Sequence, residues 1–297
     1  MKKSLLLYNV KAGRGKIARN VDALTEIFRQ AGYDIRPKLI EFGQNPFDGD
    51  EDCHLAVVCG GDGTINYVVN SMKSKSLSPV IAVIPAGTAN DFAGALGMDS
   101  DIMRAARQIV SGQVRRVDCG MVNGLYFINI FSFGIFTTTS QHTSDRLKHK
   151  IGKLAYIFTG IKDLLHLHGI PLHVKCDDDE FDFKALMVLI FNGETAGRFR
   201  LARTARIDDG VFDCIMLEKR NPIVSCWHMI RYLMGGSPRS VRYFKSSALE
   251  MTSTLDEATD VDGQKGERFP LSIVCHGSGI EVLAPVPHRS DDTKKCR

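Results

Sequence analysis

Apolar and polar positions in the first third of the chain follow a repeating order: short apolar run, glycine-rich loop, helical spacing. Ser4–Tyr8 predicts a strand, and after a loop Ile17, Val21, Leu24, Phe28 and Ala31 recur at helical intervals until Gly32 stops them. Ile35–Phe42 predicts a second strand and His54–Cys59 a third, the latter running straight into Gly-Gly-Asp-Gly-Thr and a helical stretch over Ile65–Met72. Val80–Ile84 predicts a fourth strand, followed by Pro-Ala-Gly-Thr and a helix from about Ala89. Strand, loop, helix, repeated, implies a parallel sheet with helices on its faces, and such sheets bind ligands at the carboxyl ends of their strands. All three glycine-rich loops fall at those ends.

From about Gly120 the texture changes. Leu125–Ile130, Leu172–Cys176, Phe181–Phe191, Gly210–Leu217, Ser247–Met251 and Leu271–Cys275 are short strand candidates separated by turns, which predicts a β-rich, sandwich-like second domain. Between them Leu147, Ile151, Leu154, Phe158, Ile161 and Leu165 recur at helical spacing among Arg146, Lys148, Lys150, Lys153 and Lys162. The predicted domains are therefore 1–122 and 123–283, with the polar tail of about 284–297 returning toward the first.

Composition narrows the classes. The 297 residues are 44% hydrophobic and 24% charged, which excludes disorder, collagen-like repeats and coiled coil as descriptions of the whole. The 38 basic and 34 acidic residues leave a net charge of +4, too mild for a dedicated nucleic-acid binder. No apolar run approaches the roughly 18 residues of a spanning helix, and Met1-Lys2-Lys3 with its short apolar sequel is too brief for a secretory signal. The eight cysteines (53, 59, 119, 176, 214, 226, 275, 296) contain no CxxC pair and read as free thiols of a reducing compartment.

The candidate chemistry sits in the loops. In Gly60-Gly61-Asp62-Gly63-Thr64, between strand and helix, adjacent glycines permit positive φ and close ligand approach, and the helix N-terminus offers a phosphate cradle. Asp62 would repel a phosphate directly but suits a bridging Mg²⁺ and its waters; the plainer reading is a tight turn with a surface Asp. Asn9-Val10-Lys11-Ala12-Gly13-Arg14-Gly15-Lys16 has the texture of a phosphate loop without the Walker A pattern. In Pro85-Ala86-Gly87-Thr88-Ala89-Asn90-Asp91-Phe92, Thr88 and Asn90 either cap the next helix or line a nucleotide site.

With this spacing the three loops resemble those of the bacterial diacylglycerol-kinase-like lipid kinases, a family grouped with sphingosine kinases and, more remotely, NAD kinases. The resemblance continues through Val117-Asp118-Cys119-Gly120 with Tyr126-Phe127-Ile128-Asn129, Ile207-Asp208-Asp209-Gly210-Val211-Phe212-Asp213, and Val261-Asp262-Gly263 with Phe269-Pro270-Leu271, covering about residues 4–285. It implies an α/β chain: a Rossmann-like nucleotide-binding domain, a β-sandwich-like lipid domain, and an active site in the cleft between them. Carried over residue by residue, Asn9, Val10, Lys11, Ala12, Gly13, Gly60, Gly61, Asp62, Gly63, Thr64, Ile65, Asn66 and Thr88 would contact ATP. Asp62 and Asp118 would hold the catalytic Mg²⁺ through water, and Asp209 with the backbone carbonyls of Arg206 and Val211 a second, structural Mg²⁺. The implied activity is transfer of the γ-phosphate of Mg-ATP to a membrane lipid hydroxyl, diacylglycerol giving phosphatidic acid, by a cytoplasmic protein peripheral at the inner face of the membrane.

The chain departs from the family pattern at one chemical point. Where the family has a general-base Glu after Asp-Gly, this chain has Gln264, whose amide takes no proton at neutral pH. Asp262 or Glu267 stands in, Gln264 merely orients the hydroxyl, or the chain is a weak or non-catalytic binding relative. Milder departures are Val10 for Pro, Tyr67 for Glu, Ile40 for Thr and Arg203 for Pro. An NAD-kinase-like activity is a further alternative, less suited because the third loop reads Gly-Thr-Ala-Asn-Asp-Phe. Contact with an anionic membrane is expected through the Leu147–Leu165 stretch and through Arg198, Arg200, Arg203 and Arg206. His142, His149, His166, His168 and His173 lack ligand spacing, and an edge strand in either domain could pair a homodimer.

Overall fold

The structure, a computed structural model, describes residues 3–134, 168–177 and 179–286. The apolar helical stretch expected over Leu147–Leu165 and the tail from Pro287 lie outside the described residues. The chain divides into two compact units, Met1–Arg116 with Ile280–Arg297, and Val117–Gly279. The division falls inside two strands, between residues 116 and 117 and between 279 and 280.

The first unit is a parallel sheet. Its elements are β1 (Lys3–Tyr8), α1 (Lys16–Gln30), β2 (Asp34–Leu39), β3 (Leu55–Gly60), α2 (Asp62–Ser74), β4 (Val80–Pro85), α3 (Asp91–Ala95) and α4 (Ile102–Val110). The strands run in the order β4-β3-β1-β2, with Leu6 beside Val57 and Pro37, and Val57 beside Ala82. Every residue of β3 is buried, because helices cover both faces and a fully covered parallel strand reads as an unbroken apolar run. Pro37 sits on β2, the edge strand, where its missing N–H costs no ladder bond. The core gathers Leu6, Leu24, Phe28, Val57, Ile84, Ile102 and Ile109. The direction of winding reverses between β1 and β3, and the loops after β1, β3 and β4 leave the carboxyl ends of those strands, where α/β sheets hold ligands.

The second unit is antiparallel. After β5 (Gln113–Val122), which crosses the division, come β6 (Leu125–Phe127), β7 (Ile130–Gly134), β8 (Ile170–Cys176), β9 (Asp179–Phe191), the short pair β10 (Thr195–Ala196) and β11 (Phe199–Arg200), and β12 (Phe212–Glu218). Then follow α5 (Pro222–Leu233), β13 (Val241–Ser246), β14 (Ala248–Ser253), β15 (Thr259–Val261), β16 (Gln264–Lys265) and β17 (Leu271–Ala284). The thirteen-residue β9 changes partners along its length, pairing with β8 up to Ala185 and with β7 and β12 beyond it. Val188 and Ile190 enter a core with Phe127, Phe131, Phe133, Phe212 and Ile273, while Met187, Leu189 and Phe191 face Ile215, Leu217 and the inner side of α5. That second covering explains why Ala185–Phe191 is apolar without alternation.

Candidate active site

In the first unit the loops bind one another before they bind anything else. The Asn9 side chain accepts the N–H of Lys11 at 2.8 Å, and the Gly13 N–H donates to the Ala86 carbonyl at 2.9 Å, tying the first loop to the third. Ala86 N–H donates to the Gly60 carbonyl at 2.9 Å, tying the third to the second. Gly61 and Gly87 meet backbone to backbone: a Cβ on Gly87 would lie 2.4 Å from the Gly61 Cα, and one on Gly61 2.8 Å from the Gly87 Cα. The glycines of the second loop are thus required by close packing of one loop on another. Positive φ is not the reason, since Gly61 has φ −96° and neither Gly60 nor Gly63 lies in the left-handed region. Asn90 holds the left-handed bend of the third loop, its Oδ1 accepting from Gly87 N–H at 2.7 Å.

Three helices begin at these loops, and none carries a side-chain hydrogen bond from its N-cap residue: Gly15 for α1, Gly61 for α2 and Asn90 for α3. By contrast Asp101 caps α4 through the N–H groups of Met103 and Arg104, and Asn221 caps α5 through Ile223. At α1 and α2 first-turn N–H groups without a side-chain cap can serve an anion, reinforced by the helix dipole, whereas the Phe92 N–H of the short α3 is taken by Asp62. Asp62 reaches across from α2, its Oδ1 accepting the Phe92 N–H at 3.1 Å, so part of its carboxylate holds the third loop in place. Thr64 and the exposed Thr88 remain at the loop surface, whereas Ile65 is fully buried and Asn66 nearly so. Those two offer helix backbone rather than side chain. Tyr67, standing for the family Glu, accepts the Gly43 N–H at 2.9 Å and donates to the Gln44 carbonyl at 2.7 Å, pinning the loop after β2.

In the second unit Asp118 is the organising carboxylate. It is buried, its Oδ2 accepts the Gly210 N–H and its Oδ1 the Ser278 N–H, each at 2.7 Å, and its own N–H donates to the Ile207 carbonyl. Residues 92 and 160 positions away along the chain are thereby fastened to one side chain. Asn192, also buried, donates from Nδ2 to the Asp118 and Ile128 carbonyls at 2.9 Å. Burial, with the Asp118 charge adding to it, pushes the Cys275 thiol up to about 12, so this cysteine stays protonated.

The turn Arg206-Ile207-Asp208-Asp209-Gly210-Val211 stands next to that carboxylate, and here a residue missed in the sequence enters. Lys245 on β13 places Nζ 2.8 Å from Asp209 Oδ2 and 3.3 Å from Asp213 Oδ2. Asp213 is buried and also takes hydrogen bonds from Tyr243 and Thr204; burial drives its pKa up, against the pull of Lys245. Arg206 pairs with Asp208 at 3.1 Å. Asp209 would be the sole charged ligand of a dication held with the Arg206 and Val211 carbonyls, and Lys245 already neutralises it. Among the described residues no three carboxylate, His or Cys groups converge as a metal cluster. Lys245 is thus the partner, in this structure, of the carboxylate to which the family resemblance assigns a second Mg²⁺. Asp62 and Asp118 do suit Mg²⁺ chemically, as hard oxygen donors.

The hairpin β15–β16 corrects one expectation. Asp262 and Gly263 have φ 51° and 85°, the signature of a tight type I′ connection between Val261 and Gln264. The Asp262 carboxylate accepts three backbone N–H groups, from Ile128 at 2.7 Å and from Asn129 and Ile130 at 2.9 Å each. A carboxylate so engaged anchors the start of β7; it is not a spare base, because protonating it would break those bonds. Gln264 and Glu267 are solvent-exposed.

The comparisons agree with this architecture. Residues 3–122 match the diacylglycerol kinase catalytic domain, and residues 129–284 match the YegS C-terminal NAD kinase beta sandwich-like domain. A protein of Staphylococcus epidermidis named diacylglycerol kinase is 32% identical over 294 residues, covering 96% of this chain and 92% of the relative. One of Staphylococcus saprophyticus with the same name is 30% identical, covering 96% of each. A crystal structure of a diacylglycerol kinase from Bacillus anthracis superposes with a TM-score of 0.76 at 23% identity, covering 95% of this chain and 96% of that one. The two matched domains, joined along nearly the full length of these relatives, place the chain in the bacterial diacylglycerol-kinase-like lipid kinase family, phosphotransferases with an alcohol acceptor.

Proposed function

We propose that the chain transfers the γ-phosphate of ATP to the hydroxyl of a membrane lipid, with diacylglycerol the first acceptor to test. The observation that carries this reading is the N-terminus of α2, left without a side-chain cap and flanked by loops that pack on it backbone to backbone. The amides of Gly61, Asp62 and Gly63 at the start of α2 would face the phosphates; those of Lys11, Ala12 and Gly13 are bonded to Asn9 and Ala86, so Asn9–Gly13 would shape the wall of the site, with Thr88 at its margin. Asp62 would help hold Mg²⁺ through water, and the ion would neutralise charge on the phosphates; the family resemblance implies the same role for Asp118. Gln264 orients the acceptor hydroxyl and takes no proton. Phosphoryl transfer depends mostly on positioning and charge, and general-base help is worth ~10²–10⁴-fold, so turnover survives at a reduced rate.

Mg-ATP and vesicles carrying a panel of lipid alcohols would be incubated with the native chain and with Gln264→Glu, and phosphorylated lipid measured by mass spectrometry. Native turnover with a Glu variant faster by ~10²-fold is expected. Activity only in the Glu variant would favour a second reading, a lipid- and nucleotide-binding relative crippled at Gln264. No transfer by either chain would sink the kinase reading.

A further inference from the structure

Helix α5 turns two different faces outward and inward. Ser225, Cys226, Met229 and Tyr232 lie inward: Ser225 is fully buried, and the other three pack against Leu189, Ile215 and Leu217. On the opposite side Ile223, Trp227, Ile230 and Met234 follow one another at steps of four, three and four, forming one stripe along the helix and its C-cap. These four are 79%, 62%, 38% and 82% exposed, and Val224 and Leu233 flank them at 41% and 37%. Large apolar side chains exposed singly need no explanation, but a continuous stripe on a helix already anchored by its other face marks a contact surface. The helix is also fixed in place. Asn221 caps it, the Tyr232 hydroxyl donates to the Leu201 carbonyl at 3.1 Å, and an Arg203 N–H donates to the Leu233 carbonyl at 2.6 Å.

The charge in the segment that carries the stripe is basic, although Arg220 pairs with Glu218 at 2.7 Å, Arg242 with Asp179, and Lys245 with Asp209 and Asp213. Lys219–Leu249 contains six Lys and Arg residues and no Asp or Glu. Arg220 just before the helix and Arg231 in its last turn are exposed, as is Arg239 beyond it. Arg231 and Arg239 have no acidic partner among the described residues. An apolar stripe edged by Arg231 and Arg239 is complementary to an anionic bilayer surface: apolar side chains enter the acyl boundary while the cations meet phosphate headgroups.

We propose that the outer face of α5 is the membrane-docking surface, inserting Ile223, Trp227, Ile230 and Met234 into an anionic lipid interface. The proposal rests on the reading that the acceptor is a membrane lipid. It adds to the two surfaces expected from the sequence, the Leu147–Leu165 stretch and the arginines at 198–206, a helix that sequence periodicity did not reveal.

The chain has one tryptophan, so Trp227 itself reports insertion. The full chain would be titrated with vesicles of phosphatidylcholine alone and of equal parts phosphatidylcholine and phosphatidylglycerol. Quenching lipids labelled along the acyl chain would be included in parallel. Expected are a shift of emission to shorter wavelength and acyl-chain quenching with the anionic vesicles only, lost at high salt. The double variant Ile223→Glu, Ile230→Glu should lower vesicle partitioning by about tenfold or more. It should keep its thermal melt and its turnover of a water-soluble short-chain diacylglycerol without vesicles. Co-sedimentation with anionic vesicles while Trp227 emission stays unchanged would overturn the proposal, because another surface would then be docking. So would absence of vesicle binding. Emission already shifted without vesicles, together with a concentration-dependent dimer in sedimentation velocity, would assign the stripe to a second copy of the chain and overturn it too. Insertion of Trp227 without phosphate transfer to any lipid would support this surface and count only against the substrate reading.

Discussion

Substitution of Asp262 by Asn separates an anchor from a base. In the native chain Oδ1 accepts the Asn129 and Ile130 N–H groups and Oδ2 accepts that of Ile128. The amide keeps one oxygen, so two bonds survive in neutral form. Its NH₂ then faces the Ile128 N–H, donor against donor, at a fully buried residue. An unmet buried donor costs ~1–3 kcal/mol, and losing the charge assistance of the other two bonds costs roughly 0.5–1 kcal/mol each, about 3 kcal/mol in all. For a unit of this size that lowers Tm by roughly 6–12 °C. The assay is a melt followed by circular dichroism, with phosphate transfer measured at 25 °C and corrected for the folded fraction. The corrected rate should fall less than about tenfold, because the side chain takes no proton from the acceptor. An unchanged melt with a rate lowered ~10²–10⁴-fold would refute the reasoning and restore Asp262 as general base.

Three further outcomes follow from the same geometry. Gly87→Ala should weaken nucleotide binding and cost ~1–3 kcal/mol, because its Cβ would press on the Gly61 backbone; wild-type affinity by calorimetry would show that the loops do not need this contact. Lys245→Met should cost about 2–3 kcal/mol at pH 8, leaving Asp209 and the buried Asp213 without their cation. Burial already raises the Asp213 pKa, so its folded form favours the proton and the loss should shrink as pH falls toward about 5; a deficit independent of pH would count against it. In the first unit burial pushes the Asp50 carboxyl up, but Lys38, Arg36 and Lys3 outweigh it and hold the pKa at about 2 instead of 3.8. The resulting stability, about 2 kcal/mol, is present above roughly pH 4 and lost as pH falls toward 2, so urea melts of native and Asp50→Asn chains should differ at neutral pH and converge in acid.

Local pattern carried the parallel sheet because its strands are covered on both faces and read as unbroken apolar runs. It hid α5 for a related reason: with apolar residues on both the packed and the exposed side, Pro222–Leu233 has no polar face to set a helical period. β17 was read only as far as Cys275, since His276-Gly277-Ser278 interrupts the apolar run before it resumes to Ala284. In the site, Asp62 and Asp118 were visible as carboxylates beside glycine turns. The partners that define Asp262 and Asp209 were not, because no local signal ties residue 262 to the amides of 128–130, or Asp209 to a lysine 36 positions later. For Gly61 in the second loop the sequence signals a glycine turn, while the close contact that a side chain would disturb lies in another loop, at Gly87.

The interrupted course of the first unit has a consequence for how the protein is made. Val282 lies parallel beside Ile81, and Leu283 packs with Leu6, Val57 and Ile84, so one strand of this sheet is synthesised only after the whole of the second unit. On the ribosome β1 to β4 must therefore wait with the flank of β4 unpaired, an exposed sheet edge of the kind that invites wrong pairing. The three glycine-rich loops rest on that sheet. Their final rigidity arrives last, after the second unit has had time to fold, and a product released early would lack the strand that lies beside β4.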